Sequence, residues 1–179
     1  MRRLAALVDA LEGTVGRAIT AVSRLGGMVA LIAMTALVVV GVVSRSVLNI
    51  SLPITIEYSE YLMPVVGLWA AAYALRHGAH VRADLVLDYL PPRVRRWLML
   101  AGDVSGLVYL VVLIVYTAET AWVSISRGYT SIYPSATQYG YWQLLLPVSL
   151  LLFAMQLVLA ILRQVVHGPE PPSREPLVE

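Results

Sequence analysis

The sequence predicts an all-α membrane protein: four transmembrane helices behind an N-terminal amphipathic surface helix, with both termini cytoplasmic. Three observations carry this reading. Of 179 residues, 59% are hydrophobic and 13% charged, and the mean hydropathy is +0.75, whereas soluble domains are about 45–50% apolar and about a quarter charged. The apolar residues gather into charge-free runs long enough to cross a bilayer. The thirteen basic residues, all arginine, cluster on alternate connections. A soluble fold of ~150 residues leaves about 30% of its unfolded surface in water, too much to hide this apolar excess.

Residues 1–24 read as one amphipathic helix. Leu4, Leu7, Val8, Leu11, Val15, Ile19 and Val22 share a face at 3.6-residue spacing, with Arg2, Arg3, Asp9, Glu12, Arg17 and Arg24 opposite. Such a helix lies apolar side down on the cytoplasmic membrane surface, or on a partner protein. It is not a cleavable signal peptide, because its charges are spread out and the following apolar run exceeds a signal core.

The transmembrane domain then occupies 25–163. Twenty uncharged residues separate Arg24 from Arg45, enough to cross ~30 Å of hydrocarbon, and give the first span, 25–44. The second, 54–75, follows Pro53, which suits a helix start, and holds Glu57 and Glu60 in its first turns. The third, 97–118, is interrupted only by Asp103. The fourth, 141–162, sits in an uncharged stretch from Gly128 to Leu162. The tail, 164–179, carries Pro169, Pro171, Pro172 and Pro176 among acids and is expected to be disordered and cytoplasmic.

Orientation follows from arginine bias. Arg2, Arg3, Arg17 and Arg24, then Arg76, Arg82, Arg93, Arg95 and Arg96, then Arg163 and Arg174 fall on one side. Only Arg45 and Arg127 fall on the other. The outer loop between the last two spans is rich in aromatic rings, Tyr129, Tyr133, Tyr139 and Tyr141 between Trp122 and Trp142. They read as an interfacial belt, with a sugar-binding platform as the alternative.

Little chemistry is available. Without cysteine, disulfides, thiolate metal sites and cysteine nucleophiles are excluded. A net charge of +2 is too small for a nucleic-acid partner. No hydrolase, kinase, dinucleotide or metal-ligand motif is present, so no enzyme, cofactor or catalytic residue is expected. His77 and His80 stand three residues apart, a weak metal pair or a structural one.

Intramembrane charges are functional suspects, since burying one is costly unless it is paired. Glu57 and Glu60, one turn apart, either stabilise the positive end of a helix dipole or bind substrate or ion, and Glu57 could meet Arg45 across the short outer turn. Asp103 lies in Gly102-Asp-Val-Ser-Gly106, a small-xxx-small pattern that permits close helix approach, within reach of an arginine from the basic loop. A proton relay needs deeper acids, and spans one and four have none. At the midplane Thr35 and Tyr109 are almost the only polar side chains, so the bundle reads as dry, a packing partner more than a conduit.

Three segments resemble the small membrane subunit of tripartite ATP-independent periplasmic (TRAP) transporters. They are Arg45-Ser-Val-Leu-Asn-Ile-Ser-Leu-Pro53 leading into Glu57-Tyr-Ser-Glu-Tyr-Leu62, then Ala72-Tyr-Ala-Leu-Arg-His-Gly-Ala-His80-Val-Arg-Ala-Asp84-Leu, and Leu90-Pro-Pro-Arg-Val-Arg-Arg-Trp97. Echoes follow at Gly128-Tyr-Thr-Ser131 and Tyr141-Trp-Gln-Leu-Leu-Leu-Pro147. The resemblance spans about 25–163. It implies a multi-pass bacterial inner-membrane protein, a non-catalytic scaffold beside a large permease subunit, in a system that takes up a small organic anion, often a carboxylate. A periplasmic substrate-binding protein delivers the solute and an ion gradient drives uptake. Membrane lipids and those two proteins are the expected partners. Arg45, Glu57, Glu60, Arg76, His80, Asp84 and Asp103 are the structural or interface candidates, with Arg76, His80 and Asp84 forming a hydrogen-bonded corner after the second span. Two other readings stay open: a self-sufficient oligomeric channel or exporter using Glu57, Glu60 and Asp103, and a structural membrane adaptor unrelated to solute uptake.

Overall fold

Proline and glycine set the helix boundaries. The computed structural model describes residues 2–77 and 90–167, and every regular element among them is helical. Helix α1 (Arg2–Leu11) passes through one widened π turn (Glu12–Gly16) into α2 (Arg17–Val47). Helix α3 (Pro53–Arg76) begins on Pro53, and α4 (Pro92–Ser126) on Pro92, with fixed φ and no N–H to leave unpaired. Helix α4 ends on Gly128 at φ 63°. There Gly128 N–H donates to Ile125 C=O (3.1 Å) and Tyr129 N–H to Ser124 C=O (2.9 Å), a Schellman closure that turns the chain back across the helix ends. The short α5 (Tyr139–Gln143) and α6 (Leu145–His167) complete the chain.

The leader departs from its expected bounds. Helicity does not break near Arg24: residues 17–24 belong to the same helix as the first span, and the irregularity falls at Glu12–Gly16. The inward side is Val8, Gly16, Ile19 and Ser23, while Leu11 and Val22 of the predicted apolar face stay exposed. Part of that face therefore packs on the chain's own α6. At the far end α6 stays helical through His167, past the expected tail boundary at 164. Residues 168–179 lie outside the described residues.

Among the described residues, three segments are long and apolar enough to cross a membrane: Val8–Val47, Arg93–Ser126 and Tyr139–Val166. Helix α3, at 24 residues, is long enough, but Glu60, Pro64 and its tyrosines dilute its apolar run.

The long helices pack as a row. Helix α2 lies along α3, α3 along α6, and α6 along α4; α2 and α4 are not neighbours. The α2–α3 seam is drawn close by two glycines. A Cβ on Gly41 would sit 2.6 Å from Thr55 Oγ1, and one on Gly26 would sit 1.9 Å from the Trp69 ring. The apolar centre joins α3, α4 and α6 through Leu75, Leu110, Leu150, Ala154 and Leu157. The outer faces of the row are apolar too: Val29 and Ile32 on α2 are each 66% exposed, a surface that belongs in hydrocarbon rather than water.

The interior is less dry than the midplane residues suggest. Thr35 and Tyr109 both face outward, and Thr35 gives its proton to the Leu31 carbonyl (2.8 Å). The buried polar groups are others, among them Ser23, Glu57, Ser149 and Gln156. Trp69 Nε1–H donates to Ser149 Oγ (2.9 Å), which donates to the Leu145 carbonyl (2.6 Å). One indole thus ties α3 to α6 while its ring rests on Gly26 of α2.

Candidate functional site

A group of buried polar residues, Ser44, Thr55, Glu57 and Ser124, gathers where α2 hands over to α3 and α4 to α5, the loop end of the row. Leu48–Leu52 is a tight connection, in which Ser44 Oγ donates to the Ile50 carbonyl (2.9 Å) and Thr55 Oγ1 to Leu52 (2.7 Å). Pro53 therefore starts α3 at a fixed place, and Glu57 arrives on its inner side with 0% exposure. Burying a carboxylate requires donors. Tyr61, one turn on, donates its phenol to Glu57 Oε1 (2.9 Å), and Ser135 donates to Oε2.

Ser135 reaches Glu57 because the 127–138 connection folds back over α3. After the Schellman turn, Ser131 N–H donates to Thr137 C=O (2.8 Å), and Ala136 N–H donates to Tyr133 C=O (3.0 Å) with Ala136 at φ 49°. The same lap lets Tyr133 donate to Glu60 Oε1 (3.3 Å). Removal from water raises the Tyr133 phenol above its ordinary value, and the charge of Glu60, the bond to it and the charge of Glu57 add to the effect. Both acids of α3 thus serve as posts for one loop. Beside them Tyr61 stacks on Trp142 (centroids 5.6 Å apart), and Tyr58 meets Trp142 edge-on (5.0 Å).

At the other end Arg76 points into the leader. Both its Nη groups lie 3.4 Å from the Glu12 carbonyl, and a Cβ on Gly16 would fall 2.1 Å from its Nη1. The π turn frees backbone carbonyls from the regular ladder, and Arg76 supplies a donor there. His77 Nδ1 lies 2.9 Å from the Tyr73 carbonyl, with the two rings stacked at 4.2 Å.

The remaining expected site residues are scattered. Arg45 is exposed at the end of α2, and the Glu57 carboxylate takes Tyr61 and Ser135 in its place. His80 and Asp84 lie outside the described residues, so the expected corner with Arg76 lies outside them as well. Asp103 is half-buried near the start of α4, far along the row from Glu57 and Glu60. In its small-xxx-small pattern Gly102 has open space before it, and Gly106 only Leu157 at 3.8 Å. Among the described residues no group of three or more His, Cys, Asp or Glu could hold a metal. Ser135, Trp69, Ser149 and Gln156 were not singled out by the sequence. Only the Glu57–Tyr61 pair carried a signal, its i, i+4 spacing.

The family model described as "Tripartite ATP-independent periplasmic transporters, DctQ component" matches residues 34–167. The ectoine TRAP transporter small permease protein TeaB of Halomonas elongata is 29% identical over 112 residues, covering 61% of this chain. The chain spans 58% of that relative's length. Members of this family are transporter components rather than enzymes. With its row of apolar helices suited to a membrane and a family match reaching from mid-α2 to the end of α6, the chain belongs to the DctQ family of TRAP transporter small permease proteins.

Proposed function

We propose that this chain is a stationary scaffold subunit of the bacterial inner membrane, crossing it four times with α3 as the second span and both termini in the cytoplasm. In this reading it flanks a large permease subunit that carries solute and coupling ion. A periplasmic binding protein delivers a small organic anion, a carboxylate, and an ion gradient drives uptake. The relative named for ectoine fits an organic solute. Arg45, Glu57, Glu60, Arg76, His80, Asp84 and Asp103 act as structural or interface residues.

One observation carries the reading: Glu57, the most buried acid among the described residues, is enclosed and bonded to Tyr61 and Ser135, so it braces a loop instead of meeting solute. A conduit needs polar groups along its length. Here the core cluster of α3, α4 and α6 is leucine and alanine, and the buried Ser149 on α6 is taken up by Trp69 and the Leu145 carbonyl. The test is flux in proteoliposomes holding the chain alone, the chain with the large permease, or both with the binding protein. Uptake is expected only where the permease is present. Flux through the chain alone overturns the scaffold.

A further inference from the structure

At the loop end a cleft of about 210 Å³ opens between α3, α4 and the α5–α6 turn, lined by Glu60, Tyr61, Pro64, Thr117, Thr120, Trp142, Gln143 and Leu146. Its chemistry is lopsided. Pro64 and Pro147 have no N–H, so neither can serve the carbonyl one turn back, and those carbonyls belong to Glu60 and Gln143. Gln143 Oε1 is buried without a hydrogen-bond partner. Thr117 gives its proton to the Leu113 carbonyl (2.7 Å), Thr120 to Tyr116 (2.8 Å) and Tyr61 to Glu57. What these hydroxyls retain is lone pairs. The Glu60 carboxylate adds a negative charge, while the Trp142 ring, stacked on Tyr61 and met edge-on by Tyr58, adds apolar surface. Pro64 and Leu146 make the rest apolar.

A guest that satisfies this lining has several N–H donors, a positive charge and a short aliphatic stem. We propose that the cleft receives the ammonium or guanidinium group of a lysine or arginine presented by a membrane-embedded segment of the large permease, a proposal that rests on the scaffold reading above. The stem lies against Pro64 and Leu146 as such side chains do when they snorkel. The head meets the Glu60 carboxylate and Gln143 Oε1. An ethanolamine lipid offers the same ammonium, but its phosphate would arrive beside Glu60, and the lining contains no arginine to receive it.

The experiment is co-purification of the large permease with the wild-type chain and with Glu60→Gln, Gln143→Leu and Glu119→Gln, the last an exposed acid of α4 outside the cleft lining. Thermal melts of each chain purified alone control for folding. Glu60→Gln, whose amide oxygen still accepts from Tyr133, and Gln143→Leu are expected to lower retained permease at least fivefold with melts close to wild type, and Glu119→Gln to leave retained permease unchanged. A photo-crosslinker replacing Leu146 is expected to capture a permease segment with a lysine or arginine within one helical turn. A wild-type chain that retains no permease defeats the scaffold reading. Retention by the wild type and equally by both cleft variants overturns the cleft assignment alone. So does capture of a segment lacking a basic residue, or an ethanolamine lipid held by the wild type and lost from Glu60→Gln.

Discussion

Replacing Gly26 by alanine tests how the row of helices is held. The added methyl would lie 1.9, 2.6 and 3.0 Å from three atoms of the Trp69 ring. Carbon atoms rest about 3.5–4.0 Å apart, so the ring must retreat by about 1.5 Å or α2 must move off α3. Trp69 cannot retreat without cost, because its Nε1–H is held by Ser149 at 2.9 Å, and a shift of that size disturbs the bond. Overpacking of this kind costs about 1–3 kcal/mol, and an interhelical hydrogen bond in a membrane protein is worth about 0.6, at most ~1.7 kcal/mol. Together they give about 2–4 kcal/mol, or a fall of about 5–15 °C in Tm at this chain length, read by thermal melting in detergent. Gly102→Ala, inside α4 with nothing near its Cβ, is the matched control and should melt at or slightly above wild type, by up to about 1 kcal/mol. Trp69→Ala removes the obstacle, so adding Gly26→Ala to it should cost nothing more. The seat is refuted if Gly26→Ala melts like wild type, or if its cost persists in the Trp69→Ala background.

Three other outcomes are expected. Gly16→Val should expel the Arg76 guanidinium from the π turn, and Arg76→Leu should do the same from the other side. Both are expected to raise the mobility of a spin label at Val8, whereas Gly13→Ala, whose Cβ meets only Arg17 at 3.7 Å, should not. Ser135→Ala strips a donor from the enclosed Glu57 carboxylate and should destabilise the loop by about 1–3 kcal/mol, seen as faster amide exchange at Ser131 and Ala136. The Tyr133 phenol, raised by its surroundings, should titrate above the ordinary value of about 10 by ultraviolet difference absorbance. The fold favours the protonated phenol, so the contribution of Tyr133 is complete below that ordinary value and is lost as pH climbs through the raised one. Glu60→Gln should bring the titration back toward normal.

Several elements were written locally. The charge-free runs gave the apolar helices, because 20 uncharged residues at 1.5 Å each match the hydrocarbon thickness wherever they pack. Pro53 and Pro92 mark helix starts for a reason internal to proline. The segments from Arg45 to Trp97 carried the family likeness. The leader was legible as helical, but not where it would loosen: the π turn depends on Arg76, 60 or more positions away, finding a carbonyl in Glu12–Gly16.

Other features were decided only when distant segments met. In sequence Glu57 reads first as a structural acid, at the helix dipole or beside Arg45, and second as a ligand for solute. The fold of the 127–138 connection added what the sequence did not show, by laying Ser135 on it. Trp69 and Ser149 are 80 positions apart, and nothing in either segment marks them as a pair. Gln156 sits in a run of apolar residues whose periodicity says helix but not which side is covered. The row α2–α3–α6–α4, in place of a closed bundle, likewise follows from which faces interlock. Apolar content fixes that a helix is buried in something, whether lipid or protein. Only glycine seats, interhelical hydrogen bonds and side-chain shape choose the neighbour, and these are properties of pairs of segments that no single stretch of sequence contains.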